Sequence, residues 1–116
     1  ISISGPPVSV NPKMAVTLAM ALHELGTNAI KHGALSVPGG SVELSWNIER
    51  EPEPRIVLIW REKGGPEVVM PSRRGFGSRL IERALATELK GTVRLDFNPD
   101  GLICRIDAPL PEISSP

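Results

Sequence analysis

The chain has 116 residues, a mass of 12.5 kDa and matched sets of 13 basic and 13 acidic side chains, so its formal net charge is zero. That length suits one domain around a single core, and the charge balance excludes the basic surplus that general phosphate-backbone binding to DNA or RNA needs. One cysteine excludes an internal disulfide, no run is apolar for long enough to cross a bilayer, and two Trp, two Phe and no Tyr argue against a stacking platform for bases or sugars.

In chain order, Ile1 to Ser4 alternates as a short strand and Gly5-Pro6-Pro7 turns it ahead of Val8-Ser9-Val10. Asn11-Pro12 predicts a helix start, with Asn as the cap and Pro at the first helical position. The helix is predicted to run to about Gly33. Met14, Leu18, Ala21, Leu22, Leu25, Ala29 and Ile30 recur at helical offsets and would lie against a sheet. Gly39-Gly40 opens a strand from Ser41 to Glu49, in which Val42, Leu44, Trp46 and Ile48 alternate with polar residues, so one face is buried. A turn over Glu51 to Pro54 leads to a second strand, Arg55 to Glu62, more continuously apolar and therefore more central; the two make an antiparallel hairpin.

Gly64 to Gly77 follows neither hydrophobic period and reads as a loop. Ser78 to Leu89 resumes a helical pattern, with Leu80, Ile81, Ala84, Leu85 and Leu89 on one face, and Gly91 ends it. Thr92 to Phe97 and Leu102 to Ile106 are strands joined by Asn98-Pro99-Asp100-Gly101, a hairpin turn signal, and the tail beyond Pro109 is expected to be loose. The order predicts an α+β two-layer sandwich, a mostly antiparallel mixed sheet covered on one face by helices, forming a single domain over residues 1–116. Cys104, inside Leu-Ile-Cys-Arg-Ile, is expected to be a buried strand residue in a reducing compartment, which fits the cytosol. The start has neither a basic leader nor an initiator methionine, so the chain reads as a piece of a longer protein.

The first helix carries the most chemistry. Glu24 and Asn28 stand four residues apart and project into one volume, and Lys31 joins the same stripe with His32 beside it. An acid, an amide oxygen and a lysine suit a hydrated divalent cation with phosphate oxygens, which makes nucleotide the natural candidate; the competing reading is a set of solvated ion pairs. His23-Glu24 is not a metalloprotease motif, because no second histidine follows at the required position, so zinc is not expected. Arg74-Gly75-Phe76-Gly77-Ser78 runs straight into the second predicted helix, where small residues let backbone amides at a positive helix end approach an anion. Glu62 ends a buried strand just before Gly64-Gly65, where a carboxylate can accept from an exocyclic amine such as that of adenine, or else simply be solvated.

With these motifs in this order, the chain resembles the ATP-binding catalytic domain of a bacterial sensor histidine kinase, in the fold class of the gyrase, heat-shock-protein-90, histidine-kinase and MutL ATPases. The resemblance is closest to the HWE and HisKA_2 kinases. It rests on His23 to Ser36, on Trp60-Arg61-Glu62 continuing into Gly64-Gly65-Pro66, and on Arg74 to Ser78, and it spans nearly the whole chain. It implies the Bergerat fold. It also implies that Asn28 coordinates magnesium, that Glu24 polarises a water or the attacking nucleophile, and that Lys31 and His32 meet the phosphates of ATP. Glu62 would hold the adenine amine and Gly64 would let the backbone pass close to the base. Gly75, Phe76, Gly77 and Ser78 would form the lid-end phosphate cradle, with Arg74 as a further contact. Glu62 stands where commoner histidine kinases carry aspartate, and no phenylalanine-rich box precedes the short lid; both departures are HWE traits.

The same resemblance implies a phosphoacceptor histidine on a separate helical domain, in cis or in trans, a response regulator downstream, and no direct membrane or nucleic-acid contact. His23 and His32 lie in the nucleotide helix and are poor acceptors, so the chain alone is not expected to phosphorylate itself. Two other readings stay open: an anti-sigma-factor-like serine kinase, which Trp60-Arg61-Glu62 disfavours, and a non-catalytic interaction domain.

Overall fold

The computed structural model describes residues 1–66, 87 and 90–110. The predicted lid (Glu67 to Arg74), the segment Arg74 to Ser78, the second helix apart from Thr87, and the chain beyond Leu110 therefore lie outside the described residues.

The described chain runs from β1 (Ser2–Ser4) through helix α1 (Pro12–Lys31) and a short 3-10 turn (Ala34–Ser36) to β2 (Ser41–Glu49), β3 (Arg55–Lys63), β4 (Thr92–Asn98) and β5 (Gly101–Pro109). The strands form one five-stranded sheet in the order β1-β2-β3-β5-β4. β1 pairs with β2 in parallel and every other pairing is antiparallel, which makes the sheet mixed as expected. β3 takes the central place its apolar sequence indicated, with β2 on one side and β5 on the other.

Helix α1 starts where Asn11-Pro12 predicts it. The Asn11 side chain, on an extended backbone at φ −72° and ψ 162°, accepts from the Met14 N–H at 2.8 Å, satisfying one of the amides left over at a helix start. Met14, Thr17, Leu18, Ala21, Leu25 and Ala29 are buried, a spacing of three and four residues that forms one stripe. Thr17 is absorbed into this stripe by donating its hydroxyl to the Lys13 carbonyl at 3.1 Å. Ile30 departs from expectation: it is 62% exposed, because it follows Ala29 by one residue and a step of 100° carries it off the stripe. The helix ends at Lys31, two residues short of Gly33, because His32 leaves the helical region at φ −133°.

Period-two alternation puts Val42, Leu44, Ile56, Leu58, Trp60, Cys104, Ile106 and Ala108 under the helix as one core cluster. The register is direct: Leu44 stands opposite Trp60, Trp60 opposite Cys104, and Cys104 opposite Leu95. Cys104 is fully buried, as expected of a strand residue. The opposite face of the sheet carries charge. There Arg55 Nε donates to Asp107 Oδ1 at 2.7 Å and its Nη2 reaches the same oxygen, while Lys63 lies 3.5 Å from Glu43.

Two indole groups tie the layers together. Trp46 on β2 donates from Nε1 to the Pro6 carbonyl at 2.7 Å, holding the segment that leads into α1, and Gly5 lies so close to the Trp46 ring that a side chain there would overlap it. Trp60 on β3 does the corresponding work at the far end of the helix, through Glu62.

Candidate functional site

Residues 56, 58, 60 and 62 share one face of β3, and the first three are core. Glu62 continues the series at the sheet end, so a carboxylate is carried beneath the layer of the helix. It is 5% exposed, which replaces the picture of a solvated strand end. Burial of such a group demands partners, and both oxygens have one. Oε2 accepts from the Trp60 indole N–H at 2.9 Å, and Oε1 accepts from the backbone N–H of Ala34, just past the end of α1, at 3.0 Å. Among the described residues no buried side-chain nitrogen or oxygen lacks a hydrogen-bond partner.

Small residues make this approach possible. A Cβ on Gly33 would overlap Glu62 Oε1, so only glycine lets the carboxylate close on the helix exit. Past the strand end, Gly64 turns the backbone at φ 72°, a conformation that favours glycine. A Cβ on Gly65 would stand 2.5 Å from Ala34 Cα, so the Gly64-Gly65 segment lies against the helix exit with no room for side chains.

The last turns of α1 complete the cluster. The Asn28 carbonyl accepts from the amides of His32 at 2.8 Å and Gly33 at 3.0 Å, fixing the backbone that leads from Asn28 to the Glu62 contact. Glu24 and Asn28 are half-buried at the sides of the helix, whereas Lys31 and His32 are exposed. The structure thus brings the C-terminal turns of α1 and the Glu62-Gly64-Gly65 corner together. Arg74, Gly75, Phe76, Gly77 and Ser78 lie outside the described residues. Among the described residues no three His, Cys, Asp or Glu side chains converge on one point.

No protein-family model matches the sequence. Curated relatives do: the blue-light-activated histidine kinase of Brucella anthropi is 44% identical over 111 residues, covering 95% of this chain and 23% of that protein. The blue-light-activated histidine kinase of Brucella ovis is 43% identical over 115 residues, covering 97% of the chain and 24% of its own length. The chain thus spans about a quarter of these relatives. Among solved structures, the histidine kinase domain of the Erythrobacter litoralis EL346 blue-light activated histidine kinase superposes with a TM-score of 0.72 at 18% identity, over 94% of this chain and 50% of that one. The catalytic domain of histidine kinase ThkA does so with a TM-score of 0.69 at 13% identity, over 94% and 77%. The chain is thus similar to one stretch of the blue-light-activated histidine kinases and shares its fold with the histidine-kinase catalytic domains. The mixed sheet with α1 on one face is the fold of that group, as the motifs implied.

The site holds three groups that motif reading did not assign: the Trp60 indole, the Ala34 amide and Gly33. Trp60 was visible in principle, since residues two apart on a strand share a face. The Ala34 amide was not, because a backbone donor 28 residues away leaves no mark in a side-chain pattern.

Proposed function

We propose that the chain binds magnesium-ATP and presents its γ-phosphoryl group to a histidine on a separate helical domain. The observation that carries this reading is the buried Glu62 carboxylate held against the exit of α1, in a chain that is 44% identical to a stretch of a blue-light-activated histidine kinase. A carboxylate has about four lone-pair sites, of which the two N–H donors occupy two, so Glu62 retains capacity for an exocyclic amine of a purine. Gly64 lets the backbone pass beside the base.

Half-buried Glu24 and Asn28 supply hard oxygen atoms on neighbouring turns of α1, a donor set that fits magnesium, which takes few protein ligands and shares its remaining positions with water and phosphate. Asn28 would hold the ion, which when bound neutralises charge on the phosphate oxygens. Glu24 polarises the incoming nucleophile. The C-terminal end of a helix carries partial negative charge, so phosphates there need positive charge and N–H donors: Lys31 and Arg74 supply the charge, with His32 and the amides of Gly75 to Ser78 as further contacts. The work of the domain is positioning and charge neutralisation, and the histidine comes from elsewhere.

Calorimetric titration of a non-hydrolysable ATP analogue, with and without magnesium, tests the reading. Binding is expected to depend on magnesium and to weaken by about tenfold or more in Asn28→Ala, the scale on which metal-site substitutions act. Absence of heat at millimolar nucleotide in a folded sample overturns it.

A further inference from the structure

We propose that Trp60 is a positioning residue that sets adenine specificity by fixing the Glu62 carboxylate; this rests on the reading of Glu62 as the base-contacting acceptor. A glutamate side chain has three rotatable bonds, and a freely rotating carboxylate would discriminate poorly between bases. In this chain it is clamped. The Trp60 indole N–H holds Oε2 at 2.9 Å, the Ala34 amide holds Oε1 at 3.0 Å, and the missing side chain of Gly33 leaves room for the oxygen between them. Both donors are N–H groups that cannot accept, so both oxygens are fixed in place as acceptors. Trp60 is itself 5% exposed and anchored in the core row between Leu44 and Cys104, so its nitrogen is a fixed reference. Its ring lies under α1, where the closest approach to a Cβ built on Gly26 is 4.0 Å. The orientation of the carboxylate is therefore set by the core before any ligand arrives.

The consequence is specific. A base with an amine facing Glu62 meets oriented lone pairs, and a base with an oxygen there meets two acceptors that cannot rotate away. Phosphate binding is untouched by this clamp.

ADP and IDP share ribose and phosphates but differ in the amine, so the ratio of their dissociation constants reads the Glu62 contact. Wild type is expected to favour ADP by about tenfold or more, the scale of a hydrogen bond to a charged group. Trp60→Phe keeps an aromatic ring and removes the donor; its ratio is expected to fall at least threefold, about 0.65 kcal/mol at RT of 0.59 kcal/mol, with IDP affinity within about twofold of wild type. A folded Trp60→Phe that keeps the wild-type ratio overturns the proposal alone. A wild-type ratio near one, unchanged in Glu62→Gln, overturns the base-contact reading and this inference with it. Should Trp60→Phe melt below the assay temperature, the wild-type protein decides. With two tryptophans in the chain, ADP is expected to shift the indole N–H nuclear magnetic resonance of Trp60 and IDP to leave it near its free position. Equal responses to both ligands overturn the proposal.

Discussion

Ala29 and Ile30 are adjacent in the chain and opposite in environment. Ala29 is fully buried between α1 and the sheet, whereas Ile30 is 62% exposed. Ala29→Leu is therefore expected to cost about 1–3 kcal/mol through overpacking, and Ile30→Glu to change stability by less than about 0.5 kcal/mol, both measurable by urea unfolding. Asn11 offers a second residue-scale check. Its carboxamide caps the Met14 amide at 2.8 Å, and Asn11→Ala is expected to lower stability by about 1 kcal/mol. Reversal of the order, with Ile30→Glu costing more than Ala29→Leu, would show that the outer face of α1 is covered in solution.

At the scale of elements, the turns decide where the sheet can meet the helix. Gly101 opens β5 at φ 149°, and a Cβ there would overlap the Glu62 carbonyl, so β5 passes beside the strand end that carries the site. Gly101→Ala is expected to destabilise the domain by more than about 1 kcal/mol and to weaken nucleotide binding through displaced β3, whereas Gly39→Ala, at φ 89° with nothing within 4 Å, pays only the backbone term. Comparison of the two melting temperatures separates crowding from conformational strain. Strands and helix were readable in the sequence because each carries its own period: Val42-Leu44-Trp46 steps by two and Met14-Leu18-Ala21-Leu25 by three and four. Ile30 misled because a helix edge residue matches the offset count while lying one step off the stripe. The seat of Glu62 was only half readable, since one of its donors is a side chain two residues away and the other is a backbone amide whose place depends on how α1 ends.

At the scale of the molecule, the two histidines of the chain both lie at α1, His23 within it and His32 capping it. Both are held on the helix proposed to bind nucleotide, so neither can be brought in line with the γ-phosphate of an ATP bound to the same helix. Incubation with radiolabelled ATP is thus expected to leave the chain unlabelled, and addition of the helical phosphoacceptor domain of a blue-light-activated relative to yield acid-labile, alkali-stable phosphate on that domain. Label on the chain itself, or alkali-labile phosphate on a serine, would contradict the division of labour. Trp46 grips the entry of α1 through Pro6, and Trp60 grips its exit through Glu62 and Ala34. The segments flanking the helix are thus tied to adjacent strands, which couples α1 to β2 and β3. A displacement of the helix is therefore expected to carry the Glu62 corner, proposed to seat the base, along with it.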